Sequence, residues 1–229
     1  MKIFSHLGTS DPDYRSIMKN HTDFYLDGKL IPASQVVITQ QTHSDLVHIC
    51  TEADAGAGFG DHPQIPVADG MVTNLPRLYL LIRTADCTPV LFADERKGVV
   101  AAVHSGREGT RKNIAGKAVQ VMYSHFGCDP GDISAWIGAG ICQRHYEVSP
   151  AIWEEFLRSQ QQQGFHPDQR LHRHINIRHS IFQQLIASGI PFRNIEQDQT
   201  CTFESGRHFS YRRDGSHNRQ INIIGIEDE

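Results

Sequence analysis

No apolar run in this chain approaches the roughly 20 residues needed to cross a bilayer. The opening "MKIFSHLGTSDPD" lacks the apolar core of an export signal. The expectation is a cytoplasmic protein that does not engage a membrane. An excess of basic residues is also missing: 22 Lys and Arg face 26 Asp and Glu, for a net charge of −4 with histidines neutral. Nucleic-acid binders usually carry the opposite balance, so no nucleic-acid partner is expected. Cysteine is sparse. Cys50, Cys87, Cys128, Cys142 and Cys201 are odd in number and irregular in spacing, which favours free thiols over a disulfide framework. The "HxE…PCxxC" signature of the zinc nucleobase deaminases is absent. Only "HRH" at His172–His174 has the HxH form, whereas a trinuclear copper centre requires several such elements.

The 229 residues, 39% hydrophobic and 21% charged, suffice for one large domain with a substantial core over residues 1–229. "QVVITQQTHSDLVHIC" reads as a strand at Val36–Thr39, a polar turn, and a second strand at Leu46–Ile49. The Gly/Pro/Asp-rich "EADAGAGFGDHPQIPVAD" is a loop. Its "GAGFG" does not open a helix after a strand, so it is no dinucleotide fingerprint. The short runs "GMVTN", "LYLLIR", "TPVLFAD" and "GVVAAVH" point to one buried sheet, with "DERKG" turning an antiparallel hairpin. Helical spacing follows over about 112–126, after the Pro150 start with Ser149 as its cap, and around Ile177–Ile186. "ISAWIG" and "RQINIIGI" are further strands. Strands in clusters rather than strict alternation predict a mixed α/β domain.

Cys87 opens one strand of the expected hairpin and His104 closes the other, so both can lie at the same sheet edge. Thiolate and neutral imidazole are good ligands for zinc or copper. A third ligand must come from elsewhere, and His43 stands in a loop between strands. Two histidines and one cysteine leave a tetrahedral ion one open position, as catalytic sites do. Asp69 in "ADG" and Asp86 before the cysteine are candidates to orient a ligand or act as general base. Arg107 and Arg111 near a helix start, and Arg212 and Arg213 in "SYRRDG", are candidates to hold phosphate.

The segments "QQTHSD", "ADGMVT", "TADCTPVLFAD", "VVAAVHSGREGT", "WIGAGICQRHYEV" and "FSYRRDG" occur in one order over most of the chain. Together they resemble the laccase-domain, or multicopper polyphenol oxidase-like, family. Its members include purine nucleoside phosphorylases with adenosine deaminase activity and the peptidoglycan editing factor. The resemblance implies a single layered α/β/β/α domain with mixed β-sheets. It also implies zinc, with copper as the other candidate, on His43, Cys87 and His104. The expected substrates are then a purine nucleoside and phosphate. Alternatives are an amidase editing cell-wall precursors and a metal-binding protein without catalysis. The sequence departs from the family pattern in "HSGREG" for HAGWRG, in Ser44 for glycine, in "SHLGTS" without the arginine of TRxGG, and in "SHNR", which keeps only Arg219 of TGR.

Overall fold

A strand buried on both faces reads as an unbroken apolar run, because neither side alternates toward water. The fold explains why this chain has so many such runs: two sheets lie face to face, and each is covered on its outer side. The computed structural model describes residues 2–20 and 22–227. Its strands are β1 (Lys2–Leu7), β2 (Phe24–Leu26), β3 (Lys29–Ile31), β4 (Val36–Ile38), β5 (Val47–Ile49) and β6 (Gly70–Thr73). They continue with β7 (Tyr79–Thr84), β8 (Thr88–Asp94), β9 (Val99–Ser105), β10 (Ser134–Ile137), β11 (Ile195–Gln197) and β12 (Gln220–Glu227). The helices are α1 (Tyr14–Asn20), α2 (Arg107–Arg111), α3 (Ile114–Phe126), α4 (Pro150–Gln162), α5 (Ile177–Ala187) and α6 (Tyr211–Asp214).

One sheet has the order β1-β12-β7-β4, the other β11-β10-β8-β9-β6-β5, and β2 with β3 forms a separate hairpin. Both large sheets mix parallel and antiparallel pairs. Between the sheets, Leu80, Ile82, Ile224 and Ile226 meet Leu91, Ala93, Val100 and Ala102. The alternate residues of β8 and β9, including Val90, Phe92, Ala101 and Val103, face α3, α4 and α5 through Ile114, Met122, Phe156 and Ile181. On the far side, Val36, Ile38, Leu81 and Ile223 are covered by Ile17 of α1 and by Leu26 and Ile31 of the small hairpin. The layers are therefore α/β/β/α, as the resemblance implies.

The β8–β9 hairpin forms as the sequence predicts, with Pro89 opposite His104. The single sheet expected for the four apolar runs does not: β6, β8 and β9 are neighbours, but β7 belongs to the other sheet. Because β6, β7, β8 and β9 are buried on both faces, their apolar pattern carries no sign of which sheet each joins. The helix expected over about 112–126 forms as α3, and the short α2 precedes it, set off by Lys112 and by Asn113, whose φ of 61° is left-handed. Its side chain then accepts from the Gly116 N–H and caps α3. Ser149 caps α4 with Pro150 at its first position, as expected.

The arrangement gathers two crossings at one end of the stacked sheets. The link from β4 to β5 passes from one sheet to the other and carries His43. The link from β7 to β8 makes the same crossing in three residues, Ala85, Asp86 and Cys87. Both contain a non-glycine residue in left-handed backbone, His43 at φ 61° and Asp86 at φ 82°. Such residues cost of order 1–3 kcal/mol and persist where the surroundings fix them, commonly at functional sites.

Candidate metal centre

Cys87 directly precedes β8, and His104 is the next-to-last residue of β9, at the open end of the hairpin. Asp69 directly precedes β6, which pairs with β9. Its backbone carbonyl accepts from His104 N–H at 2.7 Å, and its carboxylate Oδ1 lies 2.7 Å from His104 Nδ1. Three successive N–H groups of the crossing loop donate to the same carboxylate: Thr42 at 3.1 Å, His43 at 3.0 Å and Ser44 at 2.6 Å. The Ser44 hydroxyl adds a fourth bond at 2.7 Å, one that the family's usual glycine has no atom to make. Burial pushes the Asp69 carboxyl up, but the bonds from His104 and Ser44 outweigh it and hold the group at about 2. Asp69 is thus a fully buried anion that ties the His43 loop to His104.

With Nδ1 engaged by Asp69, His104 offers Nε2 to the site. His43 Nε2 lies 3.7 Å from Cys87 Sγ, and one ligand atom from each of His43, Cys87 and His104 falls within 4.8 Å of the other two. Tetrahedral zinc with bonds of about 2.3 Å to sulfur and about 2.05 Å to nitrogen has S–N edges of about 3.6 Å. The observed spacing matches that edge. Gly106 leaves room for the cluster: a Cβ there would sit 2.8 Å from Cys87 Sγ and 2.8 Å from the His43 ring. The glycine of "HSG" is required by this contact, since its φ of −80° suits any residue. The donor set, its spacing and the buried carboxylate behind one imidazole all fit zinc, and copper accepts the same donors.

The three side chains border a cleft of about 560 Å³. Its walls carry the rings of Tyr14, Tyr146, Tyr211 and His217, together with Gln41, Asp86 and two cations, Arg83 and Arg219. Arg83 is held by Gln41, the Thr39 carbonyl and the Tyr14 hydroxyl, and its guanidinium lies over the Tyr14 ring. Arg219 donates through one nitrogen to the carbonyls of Ser216 and Asn218.

The other residues singled out from the sequence have different surroundings. Asp86 accepts from the Thr202 hydroxyl and the Arg212 N–H, both at 2.7 Å, and so anchors the start of α6 beside the cleft. Arg212 donates to the carbonyls of His145 and Glu147 and covers the Tyr146 ring. Arg213 spends its fork on the carbonyls of Thr202, Phe203, Ser205 and His208 and on Asp214. Arg107 and Arg111 both pair with Glu108. None of these four arginines lines the cleft. Backbone carbonyls and Glu108, adjacent to Arg107 and one turn from Arg111, compete for cations that the sequence alone presents as free. His172 and His174 join no cluster of metal-ligating side chains among the described residues. The cleft arginine Arg83 carried no motif signal. Arg219 was visible as the surviving arginine of the C-terminal motif, and the pairing of Arg83 with Gln41 of "QQTH" could have been sought from there.

Residues 6–227 match the family model described as multi-copper polyphenol oxidoreductase laccase. A purine nucleoside phosphorylase of Mycobacterium tuberculosis (strain ATCC 25618 / H37Rv) is 34% identical over 202 residues, which are 86% of this chain and 74% of that protein. The purine nucleoside phosphorylase YlmD of Bacillus subtilis (strain 168) is 29% identical, over 84% of this chain and 71% of its own. Among solved structures, YlmD from Geobacillus stearothermophilus superposes with a TM-score of 0.79 at 28% identity, covering 86% of this chain and 76% of that one. The Bacillus licheniformis hypothetical protein YfiH gives 0.77 at 30% identity, covering 85% and 75%.

Proposed function

Because this chain belongs to the multi-copper polyphenol oxidoreductase laccase family, we propose that it is a zinc-dependent enzyme of purine nucleosides. It cleaves adenosine and inosine with phosphate to the free base and ribose 1-phosphate, and it deaminates adenosine to inosine. One observation carries this reading: His43, Cys87 and His104 converge at the wall of a cleft that also presents aromatic rings and two arginines. The relatives named as purine nucleoside phosphorylases supply the substrate class.

His43, Cys87 and His104 would hold the ion, and Asp69 fixes the tautomer and direction of His104. The bound ion supplies a Lewis acid beside the substrate. In phosphorolysis the C1′–N9 bond breaks, a phosphate oxygen bonds C1′, and the purine leaves with a proton. Arg83 and Arg219 supply the positive charge that holds phosphate in line, a matter of positioning more than of covalent chemistry. The rings of Tyr146 and Tyr211 give the planar base an apolar surface. In deamination, water adds at C6 and ammonia departs, with no part for phosphate.

The test is product identification. Metal-replete protein with adenosine and phosphate should yield adenine, inosine, hypoxanthine and ribose 1-phosphate. No reaction with any purine nucleoside, alongside hydrolysis of the amide in a muropeptide precursor, would replace this reading with the cell-wall amidase.

A further inference from the structure

We propose that Cys142, His145, Cys201 and Glu204 form a second metal site, a closed structural zinc centre separate from the cleft triad. One ligand atom from each of the four lies within 4.8 Å of the others. His145 Nδ1 is 3.3 Å from Cys142 Sγ, 3.7 Å from Cys201 Sγ and 3.5 Å from Glu204 Oε1. For zinc at ordinary bond lengths, a tetrahedron has S–N edges of about 3.6 Å and an N–O edge of about 3.4 Å. All three measured edges agree with that figure to within a few tenths of an ångström.

The local backbone prepares the site. The ligands come in two pairs spaced three apart, C-x-x-H and C-x-x-E. Each pair sits on a tight turn closed from its last residue to its first: His145 N–H donates to the Cys142 carbonyl at 3.1 Å, and Glu204 N–H to the Cys201 carbonyl at 3.2 Å. In such a turn, positions i and i+3 project to the same side. A bridge between Gly140 and Cys201 holds the two turns together. Cys142 N–H donates to Cys201 Sγ at 3.3 Å, the kind of outer bond that orients a ligating thiolate. The His145 ring stacks on Phe203 at 4.3 Å, which fixes its plane.

Charge supports the same conclusion. Two thiolates and a carboxylate around a divalent ion leave one negative charge. Arg144 donates to Glu204 at 2.7 Å. Arg178, which lines the adjoining pocket with Cys142 and Cys201, buries its Nε with no partner. With four protein ligands the site has no open position, which marks a structural rather than a catalytic centre.

The site braces the cleft. His145 is followed by Tyr146, whose ring lines it. Cys201 is followed by Thr202, whose hydroxyl holds Asp86 beside Cys87. The ion would clamp the two loops that carry these residues.

Metal stoichiometry by native mass spectrometry, on reduced full-length protein reconstituted with zinc, tests the proposal. We expect two ions in the wild type, one in Cys87→Ser, and one in Cys142→Ser combined with Cys201→Ser. Cobalt-loaded Cys87→Ser should show a thiolate-to-cobalt band of about twice the intensity that the single-thiolate triad gives. If the double variant does not fold, the Cys87→Ser measurement still decides. Failure of reduced Cys87→Ser to bind a stoichiometric ion would overturn the proposal, as would a Cys142–Cys201 disulfide that persists against a cytosol-like glutathione buffer. None of these readouts depends on nucleoside turnover.

Discussion

Asp69 Oδ1 lies 2.7 Å from His104 Nδ1, with the carboxylate fully buried and the imidazole nearly so. A buried carboxylate behind a ligating histidine fixes which ring nitrogen faces the metal and raises its basicity. Here the same carboxylate also gathers three N–H groups of the loop that carries His43, so one side chain positions two of the three candidate ligands.

Asp69→Asn should therefore act on the metal more than its conservative size suggests. The amide keeps the shape, but it removes the charge and presents two donors to groups that already donate. Loss of an outer partner typically lowers metal affinity about 10- to 100-fold. Competition against a chelator of known affinity measures the change. The fold should weaken as well, since charge-assisted bonds contribute about 1.5–3 kcal/mol each. Asp69 is held at about 2 against an ordinary 3.8, so its contribution is complete above pH 3.8 and is lost as pH falls toward 2.

Gly106→Ala tests the site by steric means alone. The added methyl would meet Cys87 Sγ and the His43 ring at 2.8 Å, with no backbone penalty. Zinc occupancy at the triad should drop sharply while the circular dichroism spectrum is retained. Unchanged occupancy would show that the ligands have more freedom than the geometry allows.

Cys87 separates ligand from nucleophile. In metal-free protein, burial raises its thiol, but the facing charge of His104 dominates and brings it to about 6. Burial lowers His104, yet the Cys87 thiolate and Asp69 raise it to about 9. The depressed thiol adds stability above its ordinary 9.0 that is lost as pH falls through about 6. The raised imidazole adds stability below its ordinary 6.5 that is lost as pH rises through about 9. The ion pair thus stands between those two values, and at pH 7 the stripped protein should alkylate rapidly at Cys87. Zinc should suppress that labelling. Equal rates with and without metal would favour a nucleophilic thiolate.

Arg219→Met and Arg213→Met should part company. Methionine keeps much of the length of arginine but none of its charge or fork. A lost charged hydrogen bond costs about 1.5–3 kcal/mol, roughly a 10- to 150-fold rise in the KM for phosphate. That rise belongs to Arg219, in the cleft. Arg213 holds four carbonyls together, so its loss should lower the melting temperature and leave the phosphate dependence alone. The reverse outcome would return phosphate to the "SYRRDG" segment.

What the sequence made legible follows physical lines. The β8–β9 hairpin could be read because its apolar strands flank a polar turn with Gly98 in left-handed backbone. The departure of β7 to the second sheet could not, since its buried faces look the same in either place. His43, Cys87 and His104 are too far apart in sequence for spacing to join them, and motif resemblance supplied what local chemistry did not. The helix after Lys112 could be read because its apolar residues recur at helical spacing, whereas the short α2 before its cap, Asn113, carries no such period. Cys142, His145, Cys201 and Glu204 went unread because each half of the set is only a pair, and the halves meet through a bridge some 60 residues apart.

The most direct measurement is purine release from inosine at saturating phosphate, followed as zinc is titrated into chelator-stripped wild-type and Cys87→Ser protein. Wild-type activity should climb with occupancy of the triad and level off when it is full, while Cys87→Ser should stay inactive at every zinc concentration. Full activity in the stripped protein, or Cys87→Ser activity that climbs with zinc as the wild type does, would contradict a metal-dependent triad.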